Sequence, residues 1–187
     1  MDQKRAGEFS GISDEQLAAM AASDRSALAA LIIRYDRFIS SKADAMKTSG
    51  ADADDLFQEG IMGLLDAIKS FDPSRGVTLR TFANVCIRNR MINAISGKTP
   101  HISIDDIGED ISAGEENPEA IVVQREHDRE LFEDISQKLT ASEWGVLQLF
   151  LKGFSYAEIA DQLHMQVKAV DNAMQRVRRK LRAILRT

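Results

Sequence analysis

Apolar residues recur at intervals of three or four positions along most of this chain of 187 residues. This spacing is typical of amphipathic α-helices, whereas the strict alternation of a half-buried strand is absent. One clear stripe runs from Leu28 to Ile39, and proline, which breaks helices, occurs only three times. The pattern therefore predicts an all-α fold, with helices before residue 98 and after residue 117.

Residues that cap helices mark the starts of the predicted helices. Ser13 and Asp24 precede the first two apolar stripes, and Asp52 or Asp54 is expected to cap a third helix. A fourth helix is predicted over about residues 80–95, because a Ser-Gly pair follows it and glycine commonly ends helices. These four helices form the first part of the chain.

The third predicted helix has two chemically different faces. Its apolar face is made of Phe57, Gly60, Ile61, Leu64, Ile68 and Phe71. Its second face is made of Asp55, Gln58, Glu59, Met62 and Asp66. Because the apolar face is complete by itself, the second face is free either to meet solvent or to bind a basic partner.

Residues 98–117 have a different composition from the helical parts on either side. They contain a proline, two glycines and many acidic residues, with little hydrophobic periodicity. Such a composition is typical of a linker. We therefore expect a helical domain over residues 1–97, a flexible acidic linker over 98–117 and a second small helical domain over 118–187.

The second domain contains the most specific local pattern. Ser155 and Glu158 have the spacing of a capping box at the start of a short helix, and a tight turn is expected at His164. The next helix, near residues 166–182, is expected to bury Val167, Val170, Met174, Val177, Leu181 and Leu185. Its other face presents Lys168, Asp171, Asn172, Gln175, Arg179 and Arg182, with Arg176 and Arg178 alongside. This pattern predicts a helix-turn-helix with a recognition helix.

The side chains on that exposed face suit DNA. Asn and Gln can hydrogen-bond adenine, and Arg or Lys can hydrogen-bond guanine. The arginines at the end of the helix can neutralise phosphates. A three-helix bundle with an ordinary basic surface is the alternative interpretation of the same residues.

Overall charge at first argues against a nucleic-acid partner, because the chain has a formal net charge of −5 and a pI near 5.3. The charge is, however, segregated. Residues 69–98 contain six basic residues and one acidic residue, residues 105–134 contain twelve acidic residues and two arginines, and residues 166–187 contain seven basic residues and one acidic residue. Two basic blocks that flank an acidic one favour nucleic-acid binding.

Two sequence blocks resemble bacterial RNA polymerase sigma factors of the sigma-70 family. Residues 54–72 read DDLFQEGIMGLLDAIKSFD and are similar to the central helix of these proteins, and the similarity continues through residues 75–92. The segments YAEIA at 156–160 and KAVDNA at 168–173 are similar to the family's fourth conserved region. The second block is most similar to the alternative sigma factors of sporulation and stationary phase in Gram-positive bacteria.

The resemblance implies a transcription initiation factor with no catalytic residues, no metal and no cofactor. Its expected partners are promoter DNA and core RNA polymerase, through the clamp coiled coil of the largest subunit and the flap of the second subunit. An anti-sigma factor is a further candidate partner, and the free protein is expected to be a monomer. By position, the residues expected to bind core polymerase are Asp55, Gln58, Glu59 and Met62.

The resemblance also implies two DNA-binding surfaces. The downstream promoter element would be held by Arg80, Phe82, Asn84, Arg88, Asn89 and Ile92. The upstream element would be read by Lys168, Ala169, Asp171, Asn172, Gln175, Arg176 and Arg179. Phe82 matches a family position whose aromatic side chain is used when a DNA base leaves the stacked duplex. A phenylalanine at helical spacing is, however, more often part of a hydrophobic core. Where principal sigma factors have two tryptophans, this chain has Val85 and Cys86, which suggests dependence on a strong promoter match.

Two alternatives belong to other functional classes. A stand-alone helix-turn-helix regulator would bind DNA as a dimer, and a nuclease would use Asp52, Asp55, Glu59 and Asp66 to bind metal. The acidic residues at a helix start, however, already suit the helix dipole without a metal.

The chain has no long apolar run and no secretory signal at its amino terminus, so a cytoplasmic location is expected.

Overall fold

The computed structural model describes residues 9, 11–47, 51–97, 130–131 and 133–186. We number the helices α1 (Asp14–Ala21), α2 (Arg25–Met46), α3 (Ala53–Ser70), α4 (Leu79–Ser96), α5 (Ala141–Leu151), α6 (Tyr156–Gln162) and α7 (Val167–Leu185). A short 3-10 helix spans Pro73–Arg75, and residues 133–138 are also helical. The described residues contain no β-sheet, and the prediction of an all-α fold is confirmed.

The helix starts agree with the capping residues in the sequence. The Ser13 hydroxyl accepts a hydrogen bond from the Gln16 amide, and the Gln16 side chain accepts one from the Ser13 amide, which forms a capping box. Asp24 caps α2, and Asp52 rather than Asp54 caps α3. Gly97 ends α4 with φ of 66°, a backbone conformation that glycine adopts at low cost.

Helix α3 lies at the centre of the first helical group. It packs against α2 and α4, and its buried residues include Phe57, Ile61 and Leu64, none more than 1% exposed. Gly63 permits a close approach to the backbone of α4, because a Cβ atom at this position would lie 2.7 Å from the Cα atom of Ile87. Cys86 acts as a small buried apolar residue, since it is 1% exposed, and burial raises the pKa of its thiol to about 12.

Helices α5, α6 and α7 form the second group. Gly153 turns the chain between α5 and α6 with φ of 98°, and Ser155 then caps α6 in the predicted capping box with Glu158. Ile159 and Ala160 of α6 are buried against the neighbouring helices. The recognition helix extends to Leu185, three residues beyond its predicted end.

The two helical groups are in contact with each other. Helix α3 packs against both α5 and α7. The Arg25 side chain of α2 donates a hydrogen bond of 2.9 Å to the Leu139 carbonyl that precedes α5. The predicted linker, residues 98–117, lies outside the described residues, and the domain bounds of 1–97 and 118–187 remain predictions.

Candidate nucleic-acid and partner-binding surfaces

Helices α6 and α7 form the predicted helix-turn-helix. The turn between them includes His164 with φ of 52°, and the Met165 amide donates a hydrogen bond of 2.9 Å to the Ala160 carbonyl. The apolar side of α7 faces the protein interior through Val170, Met174, Val177, Leu181 and Leu185. Because these side chains fix the rotation of α7, its polar side faces outward.

Val167 is an exception to the predicted buried face. It was expected to be buried, but it is 50% exposed. It is the first residue of α7, and side chains on a helix lean toward the amino terminus. Its side chain therefore projects beyond the turn of α7 that packs on the other helices. The prediction for Val167 was wrong, while the rest of the stripe is confirmed.

The polar face of α7 is open to solvent from Lys168 to Gln175 and at Arg176 and Arg179, apart from two half-buried residues. Lys168, Asn172, Gln175, Arg176 and Arg179 are all exposed, while Ala169 and Asp171 are half-buried. The Gln175 amide donates a hydrogen bond of 3.0 Å to Asp171, and the Lys168 ammonium lies 3.7 Å from the same carboxylate. Asp171 therefore orients two of the side chains for which base contacts are expected.

A buried carboxylate holds α7 to α5. Glu143 is 3% exposed, and its side chain lies 2.6 Å from the Lys180 ammonium and 3.4 Å from the Arg176 guanidinium. Burial by itself raises the pKa of Glu143, but hydrogen bonds from Lys180 and from the Thr140 amide and hydroxyl outweigh it and lower the value to about 2. Glu143 was not among the expected site residues, although Thr140 and Glu143 have capping-box spacing.

Helix α4 presents a different kind of surface. Arg80 and Arg88 are exposed, and Ile92 is 38% exposed. Asn84 and Asn89 are half-buried, as is Phe82, whose ring centroid lies 6.2 Å from that of Phe71 at the edge of the core. The expected DNA-binding residues of α4 thus divide into three exposed residues, Arg80, Arg88 and Ile92, and three that are partly covered by the domain itself.

Arg90 ties α4 to α3. Its guanidinium lies 3.1 Å from the carboxylate of Asp66 and 3.4 Å from that of Glu59. Burial raises the pKa of Asp66, and the nearby charge of Arg90 opposes that shift. Together with the close approach at Gly63, this pair of contacts fixes α4 relative to α3. Arg90 was not among the expected site residues.

The expected polymerase-binding face of α3 is only partly open. Asp55 is exposed and Gln58 is half-buried, with the Gln58 amide 3.4 Å from the Asp55 carboxylate. Glu59 is half-buried, and Met62 is 5% exposed and belongs to the core. The reason is that α2, α4, α5 and α7 all pack on α3, which leaves a narrow polar edge.

Arginines at the end of α7 bind the acidic edge of α3. The Arg178 guanidinium lies 2.7 Å from Glu59, the Arg182 guanidinium lies 2.7 Å from Asp54, and Arg186 lies 3.5 Å from Asp54. The hydrogen bond from Arg182 is the main cause that lowers the pKa of the Asp54 carboxyl. Arg182 was expected on the DNA-facing side of α7, and its contact with α3 was not predicted.

Neither a metal cluster nor a membrane helix is found in the parts of the chain that the structure describes. No group of three or more His, Cys, Asp or Glu side chains among these residues has an arrangement that could hold a metal ion. No helix in the same residues has the length and apolar character that a membrane span requires.

Each of the two helical groups matches a known protein family model. Residues 31–100 match the family model for Sigma-70 region 2, and residues 130–181 match that for Sigma-70, region 4. The RNA polymerase sigma-H factor of Bacillus subtilis is 34% identical over 95% of this chain and 91% of its own length. That of Bacillus licheniformis is 34% identical over 95% of this chain and 88% of its own length. No solved structure matches the chain.

The chain therefore belongs to the sigma-70 family of RNA polymerase sigma factors. With regions 2 and 4 present and with sigma-H factors as relatives, it is an alternative sigma factor that directs RNA polymerase to promoters. Region 2 includes most of α2 and all of α3 and α4, and region 4 includes α5, α6 and most of α7.

Proposed function

We propose that this alternative sigma factor reads the upstream promoter element with α7, holds the downstream element along α4 and binds core polymerase through α3. The observation that carries the proposal is the exposed polar face of α7, where Asn172, Gln175 and Arg179 project from a helix whose opposite side is buried. Asn and Gln suit adenine, and arginine suits guanine or phosphate.

For the upstream element, Lys168, Asn172, Gln175 and Arg176 are the proposed base-reading residues, with Ala169 and Asp171 beside them. Asp171 binds Gln175, so the Gln175 amide enters the major groove already oriented. Arg179 lies further along the exposed side and is proposed to contact phosphate. Support for this division comes from exposure and residue chemistry.

For the downstream element, the exposed Arg80 and Arg88 are proposed to follow a phosphate backbone. Asn84, Asn89 and Ile92 are proposed to lie near the junction of duplex and single strand. Phe82 packs at the edge of the core rather than in its centre, and we propose that its ring stacks on a base as the strands open. The chain would in this way assist promoter melting.

For core polymerase, the proposed contacts of α3 are Asp55, Gln58, Glu59 and Met62, against the clamp coiled coil of the largest subunit. Asp55 is exposed, and Glu59 already accepts arginine partners, so this edge is chemically suited to a basic surface. Met62 is covered in the free protein and has to become accessible before it can make contact. Region 4 is proposed to meet the flap of the second subunit.

We further propose that the protein has no catalytic activity of its own, needs no cofactor, is a monomer when free and acts in the cytoplasm, where the polymerase is found. An anti-sigma factor is a proposed regulator.

Run-off transcription with core polymerase on a promoter library tests the proposal. The chain should stimulate a set of transcripts that share two sequence elements, and the free chain should bind the same promoters much more weakly than its complex with core polymerase. Tight promoter binding by a dimer of the free chain, without stimulated transcription, would instead identify a stand-alone helix-turn-helix regulator.

A further inference from the structure

Arg176 differs in its contacts from other residues that are proposed to read DNA bases. Lys168 and Gln175 contact Asp171 of their own helix, whereas Arg176 contacts a carboxylate of α5. Its Nε atom lies 3.4 Å from Oε1 of Glu143, and 45% of the Arg176 side chain is still exposed. A residue of a different helix therefore contacts one of the side chains on the reading face of α7.

The Glu143 carboxylate is itself held firmly in place. Its Oε2 atom accepts hydrogen bonds of 2.9 Å from the Thr140 amide, 3.0 Å from the Thr140 hydroxyl and 2.6 Å from the Lys180 ammonium. Its other oxygen, Oε1, faces Arg176. Because three hydrogen bonds hold Oε2, Oε1 is an acceptor at a fixed position for the guanidinium.

The contact with Glu143 leaves the part of Arg176 that suits DNA. A guanidinium has five N–H donors, one on Nε and four on the two terminal nitrogens. Arg176 approaches Glu143 through Nε, so the terminal nitrogens remain for a pair of acceptors such as O6 and N7 of guanine. Arg176 also lies one helical turn beyond Asn172, whose side chain is exposed. The carboxylate thus orients the guanidinium without occupying it.

We propose that Glu143 is a positioning residue for upstream promoter recognition, and that it holds the Arg176 guanidinium so that its terminal nitrogens meet the guanine of one base pair. This inference rests on the proposed reading of the upstream element by α7. Glu143 is 3% exposed, so it acts through Arg176 and not by touching DNA.

The physical basis is the conformational freedom of arginine. A long side chain loses rotamer freedom when it binds a base, and a contact that orders it beforehand reduces that cost. Without the Glu143 carboxylate, Arg176 would also reach phosphates, which carry no base information. Loss of Glu143 should therefore reduce sequence preference at the base pair that Arg176 reads.

Binding of the complex of the full chain and core polymerase to a library of upstream sequences tests this role. Arg176→Ala should identify the base pair, because the preference there should fall at least about fivefold. Glu143→Gln should reduce the preference at the same base pair about two- to tenfold. Its amide nitrogen cannot accept a hydrogen bond from Arg176, while its oxygen keeps the Thr140 cap. The preferences that Asn172→Ala and Gln175→Ala alter should stay native in Glu143→Gln.

Lys180→Met is the matched control. This variant also removes an ion pair of Glu143 and should destabilise the second domain, but Arg176 keeps its acceptor. The preference at the Arg176 base pair should therefore stay native. Because a preference is a ratio of two affinities of the same protein, a smaller folded fraction does not change it.

A double variant tests whether Glu143 acts only through Arg176. Glu143→Gln combined with Arg176→Ala should show the same base preferences as Arg176→Ala alone. An additional loss of preference at other base pairs in the double variant would contradict the proposal.

Three further results would overturn the proposal. Native preference in Glu143→Gln would show that Arg176 needs no positioning. An even loss at all base pairs, or an equal loss in Lys180→Met, would show that Glu143 only stabilises the fold. If Arg176→Ala keeps the native preferences while Asn172→Ala or Gln175→Ala changes one, α7 still reads the upstream element and only this inference is wrong. If none of these three alanine variants changes a preference, the proposed reading by α7 is wrong as well.

Discussion

Helices α4 and α7 are both proposed to lie on promoter DNA, but the protein supports them in different ways. Helix α7 has one continuous buried stripe and an opposite face that is largely solvent-exposed. Helix α4 packs closely on α3 at Gly63 and is tied to it by Arg90, and several of its polar side chains are half-buried. The comparison indicates that α7 offers a face of exposed side chains to the bases of DNA. Helix α4 is instead held in a fixed position on α3, and fewer of its side chains are exposed to DNA.

The largest predicted effect tests the position of α4. Gly63→Ala should destabilise the first domain by about 3 kcal/mol, because the added Cβ would lie 2.7 Å from the Cα of Ile87 and 2.9 Å from the Cys86 carbonyl oxygen, and both are backbone atoms. Urea unfolding followed by circular dichroism should show an earlier first transition, while Trp144 fluorescence should report a second domain that is nearly as stable as before.

Gly145→Ala is the matched control for that change. Gly145 lies within α5, and a Cβ atom there would meet nothing within 4 Å. Alanine is the better helix former, so this variant should be neutral or more stable by about 0.5–1 kcal/mol. Equal stability losses in Gly63→Ala and Gly145→Ala would contradict the close helix crossing.

The next prediction concerns the anchor of α7. Glu143→Gln keeps the side-chain cap of α5 but loses the ion pairs with Lys180 and Arg176, and it should destabilise the second domain by about 2–3 kcal/mol at pH 7. Denaturant titrations that follow the intrinsic fluorescence of Trp144, the neighbour of Glu143, measure this loss.

The effect of Glu143→Gln should depend on pH in a defined direction. The native fold lowers the pKa of Glu143 from its ordinary value of 4.5 to about 2, so the ionised carboxylate stabilises the folded state. The stability difference between native and variant should be complete above pH 4.5 and should disappear as the pH falls toward 2. Glu133→Gln, at an exposed site, is the control, and its free energy of unfolding should differ little from that of the native chain at any pH. If Glu143→Gln lost the same stability at every pH, the buried charge could not be the cause.

A prediction of comparable or smaller size tests the reading face. Gln175→Ala or Asn172→Ala should change the preference at one or two base pairs of the upstream element by about 1–3 kcal/mol. Arg179→Ala should instead weaken binding evenly across sequences, because a phosphate contact carries no base information. Binding of the polymerase complex to a library of upstream sequences separates the two patterns, and an even loss in Gln175→Ala would contradict base reading.

The smallest predicted effect belongs to the exposed arginines of α4. Arg88→Ala should weaken promoter binding a few-fold for all downstream sequences and should lower the slope of log affinity against log salt by about one. Lys47→Ala, at an exposed position after α2, serves as the control and should leave the slope unchanged. A change of sequence preference in Arg88→Ala would show that this arginine reads bases.

The sequence predicted α7 better than it predicted the surroundings of α3. The stripe from Val170 to Leu185 repeats with helical period, so local spacing is enough to separate its buried and exposed faces. The burial of Met62 depends on how many helices pack on α3, and a single helix pattern contains no such information. The same is true of the contacts from Arg178 and Arg182, whose partners lie more than a hundred residues away.

Site-specific photo-crosslinking in the complex of this chain, core polymerase and promoter DNA tests most directly whether the two helices read two separate elements. A crosslinker in place of Gln175 should label only upstream bases, and one in place of Arg88 should label only the downstream element, in the same complexes. Labelling of one and the same element from both positions, or no labelling of promoter DNA from Gln175, would contradict the account.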